Sequence, residues 1–210
     1  MTKSILSKER IGKLNRDLRI LVATNGTLTR ILNVLADEEI VVQIIKQEIH
    51  ADTSKIPELQ NLSIGRILQR DILLKGRNSG IAFVAAESLV AVDLLPPEIT
   101  STLLETTRPI GETMAASCIE TFKEEAEVWS GGSPDWLAQD GYHLSRKGVI
   151  ARRYRNIAGG NPVMIITEYF LRNVFEDAPS DELERRRRAK ETDKRSGDRF
   201  VFHDRIPSTP

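Results

Sequence analysis

A chain of 210 residues with 30 basic and 30 acidic side chains is long enough for one domain with a substantial core, and its balanced charge gives no sequence-wide field to draw nucleic acid. The single cysteine, Cys118, excludes an intrachain disulfide and a multi-cysteine metal site, and His50, His143 and His203 are too scattered to form a local metal-ligand motif. No run approaches the roughly 20 apolar residues of a membrane span, and the N-terminus lacks a signal-peptide core, so the composition predicts a soluble cytoplasmic protein without a bound metal or a membrane partner.

Ile11, Leu14, Leu18 and Leu21 recur at helical spacing and predict one amphipathic helix over residues 7–22, ending near Asn25-Gly26. Thr27 is placed to cap a second short helix with Leu28, Ile31, Leu32 and Leu35 on its apolar face. The β-branched texture from Ile40 to Ile49 predicts a strand, followed by a polar loop from His50 to Ser63. The apolar runs 64–75 and 81–92 flank Gly76-Arg-Asn-Ser-Gly80, which suits an antiparallel hairpin. Pro96-Pro97 opens a helix to about Leu104, and Pro109 to Met114 reads as another short one. Ser117 to Trp129 mixes helix-favouring glutamates with strand-like surroundings, and both states stay open.

Residues 131–147, with Gly131, Gly132, Pro134 and Gly141, read as a surface excursion with one helical turn around Trp136-Leu137. Val149 to Ile157 and Val163 to Leu171 form a second hairpin around Gly159-Gly160. Beyond Glu176 the chain has too few apolar residues to offset the entropy of folding. The expected organisation is a domain over 1–178 and a charged, disordered tail over 179–210, in which Glu182, Glu184, Glu191 and Asp193 nearly cancel the run Arg185 to Arg188.

Two charges stand inside otherwise apolar strands: Arg70 in Leu68-Gln-Arg-Asp-Ile-Leu-Leu74 and Glu168 in Ile165-Ile-Thr-Glu-Tyr-Phe-Leu171. Each shares a strand face with large apolar neighbours, where a lone charge costs several kcal/mol unless it is paired or meets a ligand. Periodicity leaves three arrangements open: a binding pocket, a mutual ion pair, or faces turned to solvent. Cys118 reads as a buried structural thiol, since no histidine is near to activate it. Lys123, Glu124, Glu125 and Glu127 read as a solvated face.

Thr27-Leu-Thr-Arg-Ile-Leu32, Gln69-Arg-Asp-Ile-Leu-Leu74, Pro109-Ile-Gly111, Arg153-Tyr-Arg155, the turn ending at Pro162 and Thr167-Glu-Tyr-Phe-Leu171 follow one another in an order that resembles the chorismate pyruvate-lyase superfamily. To about residue 178 the resemblance is closest to the branch found in mycobacteria and many other prokaryotes. It implies a single α+β domain with a six-stranded antiparallel sheet, helices covering an internal ligand cavity, and conversion of chorismate to 4-hydroxybenzoate and pyruvate without metal or organic cofactor. On that resemblance Arg70 grips the ring carboxylate, Glu168 hydrogen-bonds the ring hydroxyl, and the main-chain amides of Leu28 and Ile110 complete the carboxylate site. Arg70 and Glu168 are then expected to face one cavity about a substituted benzene ring apart, without touching.

Arg153 and Arg155 are candidates for the second carboxylate of chorismate, against the alternative of a solvated strand face. Two departures from the better-known lyases bear on the pocket: Glu87 lies in a stretch that carries an arginine there, and the 130–147 excursion is longer. The rival reading is a non-catalytic small-molecule sensor, because effector domains of GntR-type repressors share the fold and end in a similar hairpin. The residues before Ile40 are too few for the winged helix-turn-helix such repressors carry, and Arg70 and Glu168 favour the lyase.

Overall fold

Two antiparallel hairpins laid side by side form the centre of the fold in the computed structural model, which describes residues 3–51, 65–139 and 148–176. The strands are β1 (Ser4–Ile5), β2 (Ile40–His50), β3 (Ile67–Gly76), β4 (Ala82–Ala91), β5 (Phe122–Lys123), β6 (Glu127–Gly131), β7 (Val149–Ala158) and β8 (Asn161–Leu171). They run in the order β1-β6-β7-β8-β4-β3-β2, with β5 pairing the end of β7 and every pairing antiparallel. The sheet thus has eight strands rather than six. The two beyond expectation are two-residue edge pieces, too short to leave a pattern in the sequence.

The helices are α1 (Lys8–Gly12), α2 (Arg16–Ala23), α3 (Leu28–Ala36), α4 (Pro97–Glu105), α5 (Ile110–Ala116), α6 (Asp135–Gln139) and α7 (Arg172–Glu176). The single helix expected over 7–22 is split, because Asn15 starts a new one: its side-chain oxygen accepts from the Leu18 amide at 2.8 Å and its amide nitrogen donates to the Phe175 carbonyl at 2.7 Å. The ambiguous stretch to Trp129 resolves as strand, in β5 and β6. In the first hairpin Gly80 takes φ +66°, a left-handed value that glycine adopts without strain. His50, expected to open the polar loop, still belongs to β2, while residues 52–64 of that loop, residues 140–147 of the excursion and the tail from 179 lie outside the described residues. Among the described residues no helix is long and apolar enough to cross a membrane.

Strand alternation divides the sheet into two faces. Leu68, Ile72 and Leu74 of β3, Val84, Ala86 and Val90 of β4, and Ile166 and Phe170 of β8 pack against Leu18, Leu21, Leu28 and Leu32 of α2 and α3 and against Ile99, Leu103, Ile110 and Met114 of α4 and α5. Burying each large side chain contributes roughly 1.5–3 kcal/mol before entropy is counted. The other face is apolar along Leu73, Ala85, Ala151 and Trp129, where Leu137 of α6 packs.

Candidate functional site

The starts of α3 and α5 meet over the helix-covered face of the sheet. A Cβ on Gly111 would come within 3.2 Å of Thr27 Cγ2, so only glycine allows the two segments to approach this closely without displacing a neighbour. Beneath them is a cavity of about 420 Å³, walled by Leu28, Thr29, Ile110 and Met114 from the helices and by Ile72, Ser88, Ile166 and Glu168 from the strands. Its volume falls within the roughly 300–1,000 Å³ of small-molecule sites. First-turn amides, those of Leu28 and Ile110 among them, have no intrahelical acceptor, which gives this wall donors for an anion. Thr27 occupies the N-cap position of α3, but its side chain makes no capping bond.

Arg70 and Glu168 both lie on the helix-covered face, at 1% and 5% exposure, and their surroundings differ. Glu168 lines the cavity and is engaged on both oxygens: Arg152 Nε donates to Oε2 and the Tyr154 hydroxyl donates to Oε1 at 2.9 Å. Arg152 Nη1 in turn donates to the carbonyls of Thr24 at 2.8 Å and Val22 at 3.3 Å, which ties the carboxylate to the end of α2. Burial, followed by the Glu168 charge, raises the Tyr154 hydroxyl well above its ordinary pKa and keeps it a donor.

Arg70 does not itself line the cavity. Its same-face neighbours Ile72 and Ser88 do, as does Pro109, adjacent to the loop that receives the guanidinium. Nη1 and Nη2 reach the carbonyls of Arg108 and Thr106 only at 3.4 Å each, and the buried Nε has no partner. No described carboxylate pairs with it, and burial alone pulls its pKa down. The two charges therefore do not form a mutual ion pair. Arg70 pairs with Ser88 across β3 and β4, Ser88 with Ile166, and Ala86 with Glu168, so the two stand two strands and one row apart.

Arg153 and Arg155 do not reach this face. The β7–β8 register shifts by one residue between Asn156 and Ile157, so Arg152, Tyr154 and Asn156 turn toward the cavity and the two candidates turn away. Arg155 instead forms a two-bond pair with Glu124, at 2.7 and 2.9 Å, and Arg153 donates to Thr167 at 3.3 Å. Glu87 neither enters the pocket nor stands free in solvent: on the far face it accepts from the Tyr169 hydroxyl at 2.7 Å and from the Trp136 indole at 2.9 Å. Cys118 is exposed, at φ +56°, and is not a buried thiol. Lys123 also departs from expectation, since it lines the cavity rather than a solvated face. Arg152 and Tyr154 were hidden in the sequence for the same reason, a register that no local pattern announces.

A partly open cavity between helix starts and an antiparallel sheet, lined by a fixed carboxylate and backed by a buried cation with no described carboxylate partner, defines an α+β domain with a site of small-molecule size. Comparison with known proteins specifies the family. A family model described as Chorismate pyruvate-lyase Rv2949c-like matches residues 22–176, and the chain belongs to that family. A chorismate pyruvate-lyase of Mycobacterium leprae (strain TN) is 64% identical over 206 residues, covering 98% of this chain and 98% of its own. One of Mycobacterium tuberculosis (strain CDC 1551 / Oshkosh) is 59% identical over 188 residues, covering 88% and 94%. Among solved structures, a GntR family transcriptional regulator from Bacillus cereus superposes with a TM-score of 0.51 at 15% identity, over 66% of this chain and 96% of that one. The effector domain of PhnF from Mycobacterium smegmatis gives 0.51 at 12%, over 70% and 88%. These structural likenesses establish a shared fold and nothing about activity.

Proposed function

We propose that this protein is a chorismate pyruvate-lyase and that its cavity converts chorismate to 4-hydroxybenzoate and pyruvate. The observation that carries the reading is Arg70: a guanidinium at 1% exposure with no described carboxylate partner and only two long carbonyl contacts. Arginine presents two parallel donors to a carboxylate, and a charge-assisted pair of that kind is roughly twice as strong as a neutral hydrogen bond. The ring carboxylate takes that place, supported by the amides of Leu28 and Ile110. Glu168 accepts from the ring hydroxyl at the other end. The apolar strand residues between exclude water and strengthen both contacts.

Elimination breaks the bond between the ring and the enolpyruvyl ether oxygen. The hydrogen on the hydroxyl-bearing ring carbon departs, the ring becomes aromatic, and the enolpyruvyl methylene gains a hydrogen to give pyruvate. Products and substrate contain the same atoms, so neither oxidant, reductant nor water is consumed. Aromatisation supplies much of the driving force, and the protein's main task is to hold the reactive conformer, for which positioning is worth up to roughly 7–11 kcal/mol of barrier. The sensor alternative rests on likeness at 15% identity, which carries the fold alone. Incubating purified protein with chorismate is expected to release equal amounts of 4-hydroxybenzoate and pyruvate; a rate no higher than the spontaneous one overturns the proposal.

A further inference from the structure

We propose that Lys123 binds the second carboxylate of the substrate, the one carried on the enolpyruvyl ether, while Arg70 takes the ring carboxylate. The inference rests on the chorismate reading and gives that reading a residue it lacks. Among the described residues lining the cavity, Lys123 is the only cation and Glu168 the only carboxylate. Arg152 already matches the charge of Glu168. The Lys123 ammonium is left over: no described carboxylate lies within ion-pair distance, and its described contact is the face of the Tyr154 ring, 4.5 Å from the centroid. Burial pushes its pKa down, with the Glu168 charge acting in the opposite sense.

Placement agrees with charge. β5 pairs with β7 opposite Ile157 and Asn156, and the neighbouring Glu124 clamps it there through its two bonds to Arg155. Lys123 therefore reaches over Tyr154, whose hydroxyl binds Glu168. Tyr154 ends the row Arg70–Ser88–Ile166–Tyr154, three strand spacings or about 14 Å of backbone from Arg70. One cation, Lys123, thus lines the cavity, and the other, Arg70, stands behind its Ile72, Ser88 and Pro109 wall, an arrangement suited to a dianion. In chorismate the enolpyruvyl ether sits on the ring carbon next to the one bearing the hydroxyl, so its carboxylate falls beside the partner proposed for that hydroxyl, Glu168. A lysine suits this place, because a point charge on a flexible stem follows the carboxylate as pyruvate departs.

The test compares a dianion with a monoanion that lacks the enolpyruvyl group. Lys123→Met should lower kcat/KM for chorismate by roughly 10- to 100-fold, the range for one charge-assisted contact, with binding of 4-hydroxybenzoate changed less than about threefold. Lys123→Arg should restore most of the loss, and an unchanged thermal midpoint shows that the fold is intact. A kcat/KM within about twofold of wild type, or an equal loss for both ligands, overturns the assignment. If wild-type protein binds chorismate without turning it over, the lyase reading fails while the ratio of the two dissociation constants in wild type and Lys123→Met still decides Lys123. If wild type binds neither ligand, both readings fail.

Discussion

The two sides of the site, Glu168 in the cavity lining and Arg70 behind it, handle a buried charge in opposite ways. At one end Glu168 is paired before any ligand arrives, with one donor on each oxygen from Arg152 and Tyr154 and a lone pair still open on each, and Arg152 is anchored to α2 by two carbonyls. At the other end Arg70 is equally buried but holds only two 3.4 Å carbonyl contacts and an unpartnered Nε. A buried charge that is paired contributes to the integrity of the fold, and removing one partner strands the other. A buried charge left unpaired costs stability in the free protein and recovers it when a counter-charge binds. The Glu168 end therefore reads as rigid scaffold that also touches substrate, and the Arg70 end as the place where binding free energy is gained.

That contrast is sharpest in stability. Arg152→Met should destabilise the protein by about 3–5 kcal/mol in urea unfolding, because it strands Glu168 and frees the end of α2. Arg70→Met should leave folding stability unchanged or higher, while kcat/KM for chorismate falls roughly 100-fold or more, about 3 kcal/mol in transition-state terms. Equal destabilisation by the two variants would break the comparison. Glu168→Gln retains an acceptor for Tyr154 and should slow turnover by roughly 10- to 100-fold with little loss of 4-hydroxybenzoate affinity, which single-turnover measurements separate from release.

The smallest effect belongs to Asp71, the neighbour of Arg70 in sequence but on the far face. It is buried, its Oδ1 has no partner, and its Oδ2 accepts from Gln69 at 3.0 Å. Burial raises its pKa above the ordinary carboxylate value, with the hydrogen bond from Gln69 and the Lys46 charge opposing the rise and the charges of Glu87 and Glu48 adding to it. The folded chain therefore holds this proton to higher pH than the unfolded chain, and stability falls as pH rises between the two values. Asp71→Asn should stabilise the protein by about 1 kcal/mol at neutral pH, with the gain vanishing below the ordinary carboxylate pKa. Thermal melts at both pH values check it, and a gain independent of pH would show that the charge is not the cause.

Much of this architecture was legible in the chain. The β-branched texture of Ile40 to Ile49, the two glycine-bearing hairpin turns and the apolar periodicity around Leu18 and Leu32 each specify a local state through short-range sterics. The helix break at Asn15 was less visible, because the apolar stripe runs on past a cap whose second bond goes to Phe175, 160 residues away. Arg70 and Glu168 could be singled out because a charge in an apolar run is anomalous in any register.

Which residues surround them is a different kind of fact. Counted straight back from the turn at Ala158–Asn161, β7 would present Arg153 and Arg155 on the face of Glu168, and the one-residue shift at Asn156 presents Arg152 and Tyr154 instead. Lys123, in a segment readable as helix or strand, joins the site only because two residues of β5 pair with that same strand. The sequence by itself determined most of the elements, pointed to the family and singled out the two anomalous charges, since those depend on propensity, pattern and motif order. Only the tertiary structure decided that one charge is paired and the other open, because a single-residue slip in a strand turns every side chain on it to the opposite face, and that slip is set by packing against distant parts of the chain.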